Sequence, residues 1–159
     1  MTGKEQLVGE VVALIVALQD ATQAVDEAAA DYLRVNLTDL RCLRIVLQDG
    51  ATTATDLAHA TGLTRPAITF AIDRLEKAGL AVRTADPTDR RRILVEPTQT
   101  ARRKVSSLWG PLESEGAQAL SRYTASQLRI IADFLREATK LQDGHALRIR
   151  GSHERKAAG

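Results

Sequence analysis

With 159 residues, the chain supports one core of ordinary size and not several. Its 22 Lys and Arg stand against 20 Asp and Glu, a formal net charge of +2. That is too little to demand an anionic partner, so any such case rests on where the cations lie. A single cysteine excludes an internal disulfide framework and fits a reducing, cytoplasmic compartment.

Residues 1–34 read as one long amphipathic helix, with Leu7, Val11, Leu14, Ile15, Leu18, Val25, Ala29 and Tyr32 along a stripe. Its apolar centre, Val11 to Leu18, is not read as a signal peptide. Lys4 and Glu5 balance ahead of it, Glu10 and Asp20 flank it, and the pattern runs on as a helix. No run is long enough to span a bilayer, and no membrane partner is expected. A second helix, opened by Leu37-Thr38, carries Leu40, Leu43, Ile45, Val46 and Leu47 around Cys42. Because that segment is apolar on nearly every side, the thiol reads as buried and inert. Arg41 and Arg44 leave a redox sensor as the alternative.

The stretch TATDLAHATGLTRPAITFAIDRLEKAGL, Thr53 to Leu80, reads as two short helices meeting at a tight turn. Thr53 caps the first, with Asp56 completing a variant of the capping box. Ala58 and Gly62 suit a close helix crossing followed by a flexible corner. Thr64 caps the second helix, and Pro66 sits in its first turn, where a missing N–H costs little. Ile68, Ala71, Ile72 and Leu75 form its inward stripe at about 100° per residue. Pro66, Thr69, Phe70, Asp73 and Lys77 then point outward, with Arg65 and Arg74 on the flanks. This is the grammar of a helix-turn-helix, whose second helix enters the DNA major groove. An outward Phe70 suits thymine methyl groups and Thr69 suits base edges; packing of Phe70 under a neighbouring loop is the alternative.

Gly79 stops the second helix. Leu80 to Arg83 reads as a short strand, Asp86-Pro87-Thr88-Asp89-Arg90-Arg91-Arg92 as a polar hairpin tip, and Ile93 to Val95 as the returning strand. Arginines at such a tip suit a narrow, electronegative minor groove or bidentate phosphate contact, with Asp89 orienting one guanidinium. A solvated turn is the bland alternative, but directly after a helix-turn-helix the basic tip is read as a wing. Thr98 opens a helix carrying Val105, Leu108, Trp109 and Leu112, which Gly110-Pro111 kinks without ending. Thr124 with Gln127 forms another capping box, starting a helix with Leu128, Ile131, Leu135 and Leu141. From Asp143 the segment 143–159 reads as a polar, flexible tail whose Arg148, Arg150, Arg155 and Lys156 stay solvated, with contact to the DNA backbone as the alternative.

With those elements placed, a resemblance emerges. The TATDLAHATGL helix, the run Asp73 to Leu80 and the motif Asp86-Pro87-Thr88-Asp89-Arg90-Arg91 are together specific, and the span Leu37 to Thr98 resembles the MarR family of winged-helix transcription regulators. The resemblance implies a homodimer that binds a pseudo-palindromic operator in double-stranded DNA. It implies that Arg91, the second arginine of the wing motif, enters the minor groove while the recognition helix reads the major groove. It also implies a cleft for a small organic effector, with Tyr32, Arg41, Cys42 and Trp109 as wall residues or ordinary packing residues. Two positions depart from the family pattern: Pro97 stands at a usually apolar position, and Ala101 where Gly is common.

The sequence thus predicts a mainly α (α+β) fold, one compact domain in four parts. Residues 1–34 are a dimerisation helix, 35–97 the winged helix-turn-helix, 98–142 further dimerisation helices, and 143–159 the tail. Long terminal helices cannot bury their stripes on so small a winged domain. Pairing two copies buries them and sets two recognition helices roughly 34 Å apart, one DNA turn; an intramolecular bundle in a monomer is the alternative. The DNA-binding set is Arg65, Pro66, Thr69, Phe70, Arg74 and Lys77 on the helix, with Asp89, Arg90, Arg91 and Arg92 on the wing. His59, His145 and His153 share no ligand spacing, so no metal is expected. No phosphate loop or nucleophile elbow appears, so neither cofactor nor enzyme is read. The function read is a dimeric DNA-binding repressor relieved by a small ligand. A winged-helix module for protein interaction is the alternative, and a thiol enzyme on Cys42 lacks a base.

Overall fold

The computed structural model describes residues 2–157, with side chains as far as Gly151. The chain forms two compact units that divide inside one helix, between Gly110 and Pro111.

In the first unit, α1 spans Gly3–Leu33. Thr2 caps it reciprocally with Glu5, whose carboxylate accepts the Thr2 N–H at 2.7 Å. The helix ends where Arg34 turns left-handed (φ 58°), the only described non-glycine residue at positive φ, and Val35 N–H returns to Ala30 O at 3.0 Å. Asn36 then caps α2, Leu37–Asp49, by accepting the Asp39 N–H at 2.8 Å. Helices α3, Ala54–Thr61, and α4, Arg65–Lys77, follow. Strands β2, Ala81–Ala85, and β3, Ile93–Pro97, form the hairpin, and α5 begins at Gln99.

A third strand, β1 at Thr52–Thr53, pairs antiparallel with Val95 and Leu94, giving the order β1-β3-β2. It escaped the sequence reading because two residues are too few to show alternation. Pro97 is accommodated at the last position of β3, opposite Ala81. Thr98 then starts α5: its N–H donates to Leu80 O, its hydroxyl to Gly79 O, and that hydroxyl accepts the Ala101 N–H at 3.0 Å.

The core gathers Leu33 from α1, Leu40, Cys42, Leu43 and Val46 from α2, Leu57 from α3, the α4 stripe, Leu80, Val95 and Ala101. Of the 31 residues of α1, only Ala29, Ala30 and Leu33 are buried. Leu7, Val11, Leu14, Leu18 and Val25 lie exposed within the single chain. By length and composition α1 is apolar enough to cross a membrane. That corrects the reading that no run is long enough: Glu10 and Asp20 are few enough to leave an apolar window between and around them.

The second unit holds the end of α5, which continues through Pro111 to Leu120, and α6, Ala125–Ala157. Thr124 and Gln127 cap α6 reciprocally at 2.9 and 3.3 Å. No described side chain of this unit is buried. Helix α6 runs through the segment read as a tail, as far as Ala157, because Gly144 and Gly151 each weaken a helix by only about 1 kcal/mol among good helix formers. The side chains of His153, Arg155 and Lys156 lie outside the described ones.

Candidate nucleic-acid interface

Helix α4 is placed by its own ends. Thr64, extended at φ −70° and ψ 154°, accepts the Ala67 N–H, and Pro66 lies in the first turn. Ile68, Ala71, Ile72 and Leu75 are buried, as the face analysis requires. Phe70 is 62% exposed, so it does not pack under a loop. Beside it Thr69 is exposed, and its hydroxyl donates to Arg65 O at 3.1 Å. Arg65, Pro66 and Lys77 share the exposed side. Gly62, left-handed at φ 69°, makes the corner before this helix.

Arg74, on the flank of the helix, is exposed but bound to a neighbour. Its Nε and Nη2 donate to the two carboxylate oxygens of Asp39 on α2, at 2.8 and 2.6 Å. Donating to the Asp39 carboxylate raises the guanidinium's pKa further. Two donors of Arg74, read from the sequence as a DNA contact, are committed to the frame, because a buried carboxylate draws the nearest fork. Asp73, read as outward, likewise pairs with Arg83 of β2, which also bonds Glu76. Arg83 was missed; two acids on α4 and a cation on the adjoining strand were the available signal.

The wing is held by Asp86. Its Oδ1 accepts the Thr88 N–H at 2.8 Å, the Thr88 hydroxyl at 2.6 Å and the Asp89 N–H at 3.3 Å. The Thr88 hydroxyl, above the other causes, holds this carboxyl below its ordinary pKa. The Asp86 N–H donates to Arg92 O, and Arg92 Nε lies 3.9 Å from the Asp86 carboxylate. Asp89 Oδ1 accepts the Arg91 N–H at 3.0 Å. Asp89 therefore orients Arg91 through the backbone and not through a guanidinium, since a carboxylate two residues upstream reaches that N–H first. Arg90 and Arg91 are exposed, and their side chains form no ion pair among the described residues. Arg92 and Ile93 also line a depression with Thr53, Thr55 and Asp56 at the start of α3.

The four residues read as effector walls lie on α1, α2 and α5, and Trp109 packs against the core cluster that holds Cys42. Cys42 is fully buried, and burial, reinforced by Asp39, pushes its thiol pKa up, which suits an inert thiol. Tyr32 and Arg41 are exposed. Trp109 meets Arg44, whose guanidinium lies 6.0 Å from the ring centroid and 3.2 Å from Asp26.

A model described as the MarR family matches residues 35–93. The chain is 33% identical over 124 residues to the Bacillus subtilis uncharacterized HTH-type transcriptional regulator YcgE, covering 78% of this chain and 80% of that one. It is 26% identical over 135 residues to the homoprotocatechuate degradative operon repressor of Escherichia coli, covering 80% and 91%. A MarR family protein from Bacillus stearothermophilus superposes with a TM-score of 0.65 at 16% identity, covering 87% of this chain and 97% of that one.

Proposed function

The chain belongs to the MarR family of transcriptional regulators, and on that premise we propose that it binds a pseudo-palindromic operator in double-stranded DNA as a cytoplasmic homodimer. Helix α4 reads the major groove with Thr69 and Phe70, flanked by Arg65, Pro66 and Lys77. The wing sends Arg91, with Arg90 and Arg92, to the minor groove or its phosphates. The carrying observation is the exposed Phe70 on the face opposite the buried stripe, in a chain with only two phenylalanines. A phenyl turned to water on a cationic helix is left without a packing role and suits thymine methyls.

The exposed leucines and valines of α1 support the homodimer, since a second copy removes them from water. The name of the E. coli relative supports repression as the sign of control. A small organic ligand relieves it by binding one spacing of the two recognition helices better than the other. Family membership argues against the thiol enzyme and the bare interaction module.

Selection from a random duplex pool tests this reading. The expected product is a two-fold site with half-site centres one helical turn apart, bound with log affinity falling linearly against log salt. Association that ignores salt, or no enrichment at all, sinks it.

A further inference from the structure

The apolar stripe of α4 fixes which face is inward, but apolar packing is non-directional and leaves advance and rotation loosely set. A directional tie is present one turn beyond Phe70. Arg74 reaches from α4 to α2 and meets both oxygens of Asp39, at 2.8 and 2.6 Å. The Asp39 side chain is 0% exposed, whereas that of Arg74 is 47% exposed. A carboxylate with no water is left charged and unsatisfied if its partner leaves, so the fork is held in place. A planar guanidinium bonded through two edges sets orientation as well as distance. Asp39 is itself anchored, because its N–H is the one that the Asn36 cap accepts, directly after the left-handed corner at Arg34.

We infer that Asp39 is a positioning residue for operator recognition: through the Arg74 fork it fixes the advance and rotation of α4, and so the placement of Thr69 and Phe70. This rests on the DNA-binding reading. Asp39 is buried beneath α4 and touches no DNA; Arg74 serves as the link and not as a phosphate contact.

The test compares the full-length wild type with Asp39→Asn, Arg74→Lys, Arg74→Gln and the double variant Asp39→Asn/Arg74→Gln. Binding is measured to a duplex carrying the site selected by the wild type and to one of unrelated sequence. Each is followed across a salt series at a temperature where melting shows the protein folded. The expected result is a loss of about tenfold or more on the selected site for every variant. The double variant loses no more than either single one, the mark of two residues acting as a unit. Affinity for the unrelated duplex does not fall, and the salt slope is kept. A merely structural tie lowers the melting temperature and leaves the folded protein's affinity intact, which overturns the inference. So does a salt slope flattened by about one unit in Arg74→Gln, the signature of a lost phosphate contact.

Where Asp39→Asn does not fold, Arg74→Lys decides. It keeps the charge at a half-exposed position and loses the fork, so wild-type affinity overturns the inference and loss on the selected site alone supports it. A wild type that binds no duplex sinks the DNA-binding reading and this inference with it. A wild type that binds, matched on the selected site by every variant that folds, sinks the inference alone.

Discussion

The Arg83 guanidinium of β2 lies 2.6 Å from the Asp73 carboxylate of α4, while the Arg83 N–H donates to Glu76 one turn further on, at 2.8 Å. The first strand of the wing is thereby tied to α4, and one guanidinium offsets part of the charge of two acids. Arg83→Ala frees both carboxylates to repel phosphates. Partly exposed pairs contribute about 0.2–1 kcal/mol each, so the melting temperature falls by only a few degrees. Duplex affinity falls several-fold on every sequence, measured by titration at fixed salt. Unchanged affinity on all duplexes removes this role.

Arg91→Ala should weaken binding to operator and unrelated duplex alike and flatten the salt slope by about one unit, with Arg90→Ala weaker in the same direction. Both side chains are exposed and unpaired among the described residues, so folding stability stays within about 0.5 kcal/mol. A slope unchanged in Arg91→Ala means the wing tip does not reach phosphate.

These residues show how far sequence carries. The inward stripe of α4, the Thr53 and Thr64 caps, the Gly79 stop and the hairpin were legible, because each follows from local spacing or backbone preference. What was lost needs tertiary partners. Asp39 and Arg74 are 35 positions apart, and no local rule joins them. Asp86 rather than Asp89 holds the turn, a choice settled by which carboxylate the hairpin buries. Strand β1 exists only because β3 offers it an edge. Helix α6 passes Asp143 although the composition there reads as a tail.

Phe70→Ala should alter which operator is preferred. Loss of thymine-methyl contact costs on the order of 1–3 kcal/mol at the favoured base step and little elsewhere. Because the ring is exposed, the fold is unaffected. A repeat of the duplex selection with this variant should relax the consensus at one position in each half-site. A uniform drop in affinity with the same consensus would refute direct readout by the ring.

Asp86 makes the wing acid-sensitive. Its folded pKa lies below the unfolded carboxylate value of about 3.9, so its contribution to stability is present above that value and is lost as pH falls through the folded pKa. Nothing from this group changes between pH 6 and 8. Asp86→Asn should therefore lower stability at neutral pH and leave a shallower loss on acidification, followed by chemical denaturation from pH 7 to 2. A variant with the same acid limb as the wild type denies Asp86 that part.

Leu14 is 60% and Leu18 62% exposed on α1, a helix whose buried residues all lie in its last five positions. Fully burying one leucine contributes about 1.5–3 kcal/mol, and two-fold symmetry counts each leucine twice. Leu14→Ser with Leu18→Ser should then raise the dimer dissociation constant by several powers of ten, read by sedimentation equilibrium. The winged core of the same chain should stay folded, since neither leucine touches it. Operator affinity should fall with dimerisation, because a single recognition helix engages one half-site only. A wild type that sediments as a single chain at micromolar concentration leaves these apolar side chains without the partner assigned to them, and the symmetric operator with no dimer to read it.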